Sequence, residues 1–113
     1  MRGALEGIRI IDTSRVLAGP FCSMILGDLG AEVIKIEHVR DGDETRSWGP
    51  PFVGSESAYY LTANRNKRGM TLDLGSEKGK EIFLELVADA DVMIENFKAV
   101  SYTHLRAHET RGN

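Results

Sequence analysis

The sequence predicts an α/β fold organised around a doubly wound parallel β-sheet. Four short runs of strand character, the first two rich in β-branched residues, alternate with segments of helical character, which is typical of strands joined by helical crossovers. Of the 113 residues, 42% are hydrophobic and 27% are charged, as in an ordinary globular domain. In such a fold we expect ligands at the carboxyl ends of the strands.

The first strand and the first helix are predicted before residue 31. Residues 8–12 form a β-branched run bounded by Gly7 and by polar residues, as expected of a buried strand. Pro20 suits the first turn of the following helix, where its missing N–H costs nothing. Apolar residues then recur at helical spacing, at Phe21, Met24, Ile25 and Leu29. Gly30 is placed to end this helix in a left-handed conformation.

The middle of the chain changes from strand to loop. A second β-branched run over residues 32–37 predicts a strand directly after the helix. Over residues 38–56, frequent glycine, aspartate, proline and threonine predict a long surface loop that contains Trp48. Long loops in compact domains usually carry function, so this segment is a candidate part of a site.

The alternation continues after this loop. A short helix is predicted over residues 57–64 and a third strand over residues 69–74. Residues 76–88 predict an amphipathic helix with Ser76 as its N-cap. Its apolar stripe consists of Ile82, Phe83, Leu86 and Val87. Residues 91–96 complete the pattern as a fourth strand.

Charge and cysteine content limit the classes of function. A net charge of −3 argues against general binding of nucleic acid or membrane surfaces, which requires a basic excess. Cys22 is the single cysteine, so no disulfide framework or thiolate-rich metal site is expected. No stretch approaches the roughly 18 apolar residues of a membrane span. We therefore expect a soluble protein in a reducing compartment, the cytoplasm.

The loop over residues 16–20 runs from a strand end into a helix start. Free backbone N–H groups and the positive end of the helix could hold a phosphate there, and Gly19 would allow close approach. A tight turn in which Gly19 serves only the geometry is an equal alternative. The loop is therefore a candidate anion site on spacing alone.

Glu37 gives the best argument for a nicotinamide-dependent oxidoreductase. It lies about twenty residues after the first loop, where dinucleotide-binding folds keep the acid that binds a ribose hydroxyl. However, the glycine-rich G-x-G-x-x-G turn is absent, because Gly19, Gly27 and Gly30 are too widely spaced. This function remains an alternative.

Three further features have competing interpretations. Cys22, near a helix start, could be an activated nucleophile, although a small buried hydrophobe is the more common role of a lone cysteine. The basic run over residues 64–68 could bind a phosphate or a subunit, or form a solvated turn. His104 and His108 are four residues apart but lack the H-E-x-x-H order and a third ligand, so no metal site is predicted.

Several motifs resemble, in order, the start of the class III CoA-transferase family, which includes formyl-CoA and succinyl-CoA:glutarate CoA-transferases. They are Leu5-x-Gly7-Ile-x-Ile-x-Asp12, Val16-Leu-Ala-Gly-Pro20, Leu29-Gly-Ala-Glu-Val-Ile-Lys-Ile-Glu37, Gly42-Asp-x-Thr-Arg46-x-Trp48, Asn64-x-Asn-Lys-Arg68, Leu72-Asp73 and Ala90-Asp-Val-Met-Ile-Glu-Asn-Phe97. The resemblance implies a Rossmann-like large domain and an interlocked homodimer. It also implies that acyl-CoA is the donor and a free carboxylic acid the acceptor, without a metal or prosthetic group.

The resemblance also implies site residues. The CoA-binding positions are Leu17, Ala18, Leu72, Asp73, Leu74, Gly75, Asn96, Phe97 and Lys98. His38 occupies the place of an arginine near the adenosine end of CoA, and Arg40 could substitute for it. Trp48 and Tyr59 match positions that line the acyl pocket. The segment from Trp48 to Tyr60 is most similar to glutarate-type members, which suggests a dicarboxylic acceptor.

The chain departs from the family in two respects. The family's nucleophilic aspartate, which forms an aspartyl intermediate, is expected beyond residue 113, so we assign no catalytic residue and expect this fragment to be inactive alone. Residues 1–100 are predicted to be the CoA-binding part, whereas residues 101–113 lack family character and are predicted to be disordered or artefactual. A noncatalytic module that binds CoA or another nucleotide is the alternative.

Overall fold

The computed structural model describes residues 3–96 and confirms the predicted alternation of strands and helices. Its elements are β1 (Arg9–Asp12), α1 (Ala18–Asp28), β2 (Glu32–Glu37), a 3-10 helix (Glu44–Ser47), β3 (Phe52–Val53), β4 (Glu56–Ser57), α2 (Ala58–Ala63), β5 (Lys67–Thr71), α3 (Glu77–Ala88) and β6 (Val92–Ile94). The predictions that fall on Phe97, Lys98, His104, His108 and residues 101–113 lie outside the described residues.

Four strands form a parallel sheet in the order β5-β2-β1-β6. Asp12 pairs in register with Lys35 on one side and with Ile94 on the other, so β1 and β6 end level and β2 continues to Glu37. The order reverses direction at β1, as it does at the switch point of a doubly wound sheet. The predicted α/β class is therefore confirmed, and β3 and β4 add a separate antiparallel hairpin.

The two faces of the sheet differ in chemistry. On the face covered by α3, Phe83 packs with Ile11, Ile36 and Leu72 in an apolar cluster. The rest of the predicted stripe of α3 lies against this cluster, and Ser76 caps the helix by accepting a hydrogen bond from the N–H of Gly79. This face is the conventional hydrophobic core of the domain.

The other face is apolar at one end and polar at the other. Near α1, Ile10 and Val33 pack with Ala31. Towards the carboxyl ends of the same strands, the side chains that share this face are charged and almost fully buried, at Asp12 and Lys35. The polar end of this face directly underlies the loops of the candidate site.

Some local predictions need correction. Of the four apolar residues predicted for α1, Met24 is buried, but Phe21, Ile25 and Leu29 are exposed. The buried face of α1 instead includes Pro20 and Ser23, because the helix covers the polar end of the sheet. Cys22 is exposed, so the prediction of a small buried hydrophobe is wrong.

Several boundaries also differ from their predictions: β1 begins one residue later than predicted, and β6 spans Val92–Ile94 within the predicted residues 91–96. The third parallel strand, β5, begins at Lys67 and ends at Thr71, two to three residues before its predicted bounds. The segment predicted as an open loop contains the 3-10 helix and the hairpin. In contrast, β2 spans its predicted residues, and Gly30 has a φ of 108°, as expected for a left-handed helix stop.

Candidate functional site

The loops that follow β1, β2, β5 and β6 meet at the carboxyl edge of the sheet. All the predicted CoA-binding residues within residues 3–96 lie in these loops or at the helix start that follows β1. Leu72 donates its backbone N–H to the carbonyl of Glu37 at 3.0 Å, and Thr13 donates its N–H to the carbonyl of Ile94 at 2.9 Å. The predicted residues therefore share one edge although they are far apart in sequence.

Asp12, at the end of β1, organises the loop that follows it. Its carboxylate accepts hydrogen bonds from the backbone N–H of Ser14 at 2.9 Å and from the hydroxyls of Ser14 and Ser23. Lys67 of β5 donates to the same carboxylate at 3.1 Å. Four donors thus fix one buried carboxylate.

These contacts decide the charge states. Burial by itself raises the pKa of Asp12, but hydrogen bonds from Ser14 and Ser23 and the charge of Lys67 together lower that pKa below its usual value. Burial lowers the pKa of Lys67, against the effect of Asp12. Asp12 is therefore a buried anion, whose negative charge is balanced by Lys67 and by hydrogen bonds within the fold.

A second buried ion pair lies beside the first. Lys35 Nζ is 2.9 Å from Asp43 Oδ2, and their side chains are 2% and 0% exposed. Burial raises the pKa of Asp43, but hydrogen bonds from the Thr45 backbone and from Lys35 lower it below its ordinary value overall. Sequence reasoning missed Lys35 and Asp43 as site elements, and it considered Lys67 only as a member of the basic run over residues 64–68. The available signal was Lys35, a charge in the middle of the apolar β2 run.

The start of α1 presents the predicted loop residues to solvent. Leu17 and Ala18 are exposed, and the N-cap Leu17 supplies no side-chain hydrogen bond to the helix. A Cβ added at Gly19 would overlap the Ser14 side chain, so close packing within the loop is enough to require this glycine. The exposed helix start therefore still offers backbone N–H groups and a partial positive charge to an anion.

The loops after β5 and β6 place their predicted residues in different ways. Asn96 donates its side-chain amide to the Arg15 carbonyl at 2.8 Å and accepts from the Arg15 N–H at 3.3 Å, which joins the loops after β6 and β1. Leu72 is buried in the core. Asp73 turns the chain by accepting from the N–H of Gly75 at 2.9 Å, and Leu74 packs against the core.

The loop after β2 carries the predicted adenosine-end residues. His38 and Arg40 are both exposed, and the backbone N–H of Arg40 donates to Nδ1 of His38 at 3.1 Å. Glu37 accepts from the guanidinium of Arg46 at 2.9 Å and from the Asp43 N–H at 3.1 Å. Because this carboxylate is occupied, the argument for a ribose-binding acid at Glu37 is weakened.

The two predicted acyl-pocket residues lie together. The rings of Trp48 and Tyr59 are 5.1 Å apart between centroids and meet edge to face. Ser57 links the Trp48 segment to α2, the helix that carries Tyr59: its hydroxyl donates to the Trp48 carbonyl at 2.6 Å and accepts from the Tyr60 N–H. Sequence reasoning did not identify Ser57 as a link.

The charged side chains of the basic run over residues 64–68 form ion pairs within the molecule. Arg65 pairs with Asp28, Arg68 pairs with Glu32, and Lys67 is buried beside Asp12. An open cleft of about 380 Å³ lies alongside. Its lining residues are Lys35, Arg46, Glu56, Tyr60, Leu61, Asn64, Lys67, Arg68 and Gly69.

Residues 3–96 contain neither a cluster of metal-binding side chains nor a membrane-spanning helix. In this part of the chain, no group of three or more His, Cys, Asp and Glu side chains is arranged to hold a metal ion. The helices described there are too short and too polar to span a bilayer.

Comparison with known proteins gives a consistent result. The sequence model of CoA-transferase family III matches residues 5–110. Human succinyl-CoA:glutarate CoA-transferase is 58% identical over 93 residues, which are 82% of this chain and 21% of that protein. Succinyl-CoA:mesaconate CoA-transferase of Haloarcula hispanica is 48% identical over an alignment that covers 94% of this chain and 29% of the relative.

A solved structure agrees with these relatives. A CAIB/BAIF family protein from Brucella suis superposes with a TM-score of 0.86 at 43% identity, over 93% of this chain and 29% of that chain. The chain thus spans about a fifth to a third of the length of the relatives it matches.

Proposed function

Because this chain belongs to the class III CoA-transferase family, we propose that it forms the CoA-binding part of an enzyme that moves CoA from an acyl-CoA to a free carboxylic acid. The observation that carries the proposal is the convergence of Leu17, Ala18, Asp73 and Asn96 on one edge of the sheet. This edge is where doubly wound folds bind their ligands.

The chemistry of the edge suits CoA. The exposed start of α1 offers backbone N–H groups and a partial positive charge to a phosphate. Arg40 or His38, both exposed in the adjacent loop, would contact phosphate near the adenosine. Trp48 and Tyr59 would flank the acyl group with an aromatic wall.

The proposed reaction uses an aspartate that the family pattern places beyond residue 113. Its carboxylate attacks the thioester carbonyl, which releases CoA thiolate and leaves a mixed anhydride. The thiolate attacks the aspartyl carbonyl, which releases the donor acid and leaves an aspartyl thioester. The acceptor carboxylate then attacks this thioester, and the released thiolate captures the acceptor's acyl carbon and frees the aspartate. Covalent catalysis thereby divides one exchange into easier steps.

Three of the aspartates within residues 3–96 are already engaged within the fold. Asp12 and Asp43 are fully buried in ion pairs, and Asp28 is engaged by Arg65 and Asn66. None of these three carboxylates is free to attack a thioester. We therefore propose that this chain alone, without the downstream residues, is inactive.

Substrate choice and assembly follow as parts of the same proposal. The similarity to succinyl-CoA:glutarate CoA-transferases favours a dicarboxylic acceptor, and the family resemblance favours an interlocked homodimer. The net charge of −3 and the single cysteine favour cytoplasmic function, with neither nucleic acid nor membrane as partner. CoA serves as substrate rather than as a resident cofactor.

A fluorescence titration tests binding. Trp48 is the only tryptophan, so its emission reports directly on the proposed acyl pocket. CoA and succinyl-CoA should change this emission saturably, whereas NAD⁺ should not. Saturable binding of NAD⁺ without binding of CoA would overturn the proposal in favour of the oxidoreductase alternative.

A chimera separates a transferase from a noncatalytic module. The matching 93 residues of the human relative are replaced by those of this chain, and transfer of CoA from succinyl-CoA to glutarate is measured against the unaltered relative. Retained transfer supports the enzyme. A folded chimera that binds CoA without transfer would instead support a noncatalytic CoA-binding module.

A further inference from the structure

Val16, directly before the proposed CoA-contacting residues, has an unusual backbone conformation. Its φ is 75°, in the left-handed region that residues branched at Cβ rarely adopt. Such a conformation persists only where surrounding contacts hold it. Because Leu17 and Ala18 follow at once, the direction of the start of α1 depends on these contacts.

The buried Lys35–Asp43 pair supplies them. The Val16 N–H faces both carboxylate oxygens of Asp43, each at 3.4 Å. Lys35 Nζ donates to the Ser14 carbonyl at 3.3 Å while it binds Asp43 at 2.9 Å. The pair therefore contacts the loop on both sides of Arg15.

Asp43 also caps the 3-10 helix that directly follows it in the chain. Its Oδ1 accepts from the Thr45 N–H at 2.9 Å and from the Thr45 hydroxyl at 2.8 Å, which caps the 3-10 helix that ends next to Trp48. One carboxylate thus joins the loop before α1 to the segment that carries Trp48.

We propose that Lys35 and Asp43 are positioning residues that hold Val16 in its left-handed conformation and thereby set the loop that receives CoA. This inference rests on the proposed function. A buried charge pair is commonly replaceable by apolar residues without loss of stability, so stability alone gives a weak reason for its presence. The contacts of the pair with Ser14 and Val16 suggest that it is present to position the loop.

The test compares affinity for CoA by titration calorimetry across variants of the full chain. Lys35→Met with Asp43→Ala removes both charges together, so neither is left unpaired. We expect CoA to bind about tenfold more weakly to this double variant, equivalent to about 1.4 kcal/mol. Asp28→Asn, which removes a surface ion pair contacting neither loop, is the matched control and should bind as the parent does.

Rescue distinguishes positioning from a general structural role. Glycine adopts a positive φ without steric cost, so Val16→Gly added to the double variant should recover at least half of the loss on a logarithmic scale. Affinity within twofold of the parent in the double variant, or no recovery on adding Val16→Gly, would overturn the proposal. Should the double variant fail to fold, Lys35→Met with Asp43→Asn, which also leaves neither charge unpaired, takes its place under the same two criteria.

A second measurement does not depend on CoA. The ¹³Cα chemical shift of Val16 reports whether its φ is positive, and we expect it to leave the left-handed range in the double variant. An unchanged shift overturns the positioning role. Failure of the parent chain to bind CoA would count against the proposed function alone, and the shift would still decide the role of the pair.

Discussion

Lys67 Nζ lies 3.1 Å from Asp12 Oδ2, although the two residues are 55 positions apart, and their side chains are 2% and 0% exposed. Lys67 Nζ also donates to the Pro20 carbonyl at 2.9 Å and to Asn64 at 2.8 Å. The ion pair therefore connects β1 and β5, which flank β2 in the sheet, with the first turn of α1.

Removing one partner of this pair should be costly. Lys67→Met leaves the Asp12 carboxylate buried without its cation, and we expect the free energy of unfolding to fall by about 3–5 kcal/mol. Urea denaturation measures this change. Arg65→Met, which removes an exposed ion pair from the same basic run, should change the free energy far less; equal effects of the two variants would contradict the assignment.

The lowered pKa values of Asp12 and Asp43 predict loss of stability in acid. Each carboxyl has a folded pKa below its unfolded value, so the unfolded state binds more protons as the pH falls below about 4. This contribution is complete above the unfolded pKa and disappears as the pH falls through the folded one. Urea midpoints measured from pH 6 down to pH 2.5 should decrease.

A matched variant identifies the source of this acid sensitivity. Asp12→Asn combined with Lys67→Met removes one titrating carboxyl together with its partner charge, and the dependence of stability on pH should become shallower. A dependence as steep as that of the parent would mean that Asp12 is not responsible.

Ser57→Ala should affect both stability and the environment of Trp48. The change removes the N-cap of α2 and the hydrogen bond to the Trp48 carbonyl, so we expect a loss of about 1–2 kcal/mol. The emission of Trp48 should shift as its contact with Tyr59 loosens. Ser47→Ala, which removes a hydroxyl that donates to the Glu44 carbonyl, is the control and should leave the emission unchanged.

Gly30→Ala tests the left-handed end of α1. The φ of 108° and a Cβ that would lie 3.0 Å from the Gly3 Cα make alanine unfavourable, and we expect a loss of at least about 1 kcal/mol. Thermal unfolding measures it. Gly69→Ala in β5 meets no heavy atom within 4 Å and should be neutral or stabilising; a similar loss in both variants would rule out the conformational explanation.

The choice between His38 and Arg40 can be resolved with a modified ligand. If Arg40 contacts the 3′-phosphate near the adenosine, Arg40→Ala should weaken binding of CoA by about tenfold, typical of a charge-assisted hydrogen bond. It should leave the binding of 3′-dephospho-CoA unchanged. His38→Ala is the reciprocal variant. The variant that binds CoA no better than 3′-dephospho-CoA identifies the residue that contacts the 3′-phosphate.

Local sequence signals predicted most of the elements. β2 was located at its observed bounds because it is rich in β-branched residues, and α3 was located by its apolar periodicity and by the Ser76 cap. β5 was placed too late because it begins with the charged Lys67, whose burial no local pattern shows. The helical spacing of the apolar residues of α1 did not reveal which face is buried, because Ser23 lies against the polar end of the sheet and bonds Asp12 there.

The sequence by itself determined the α/β class, the order of the elements and the candidate residues in the loops, because these depend on periodicity and on motifs within short segments. Only the tertiary structure decided that Asp12 pairs with Lys67 and Asp43 with Lys35. Aspartate and lysine are ordinarily surface residues, and a buried charge is tolerated only where a partner meets it. Those partners are chosen by the packing of strands and loops, which no single segment encodes.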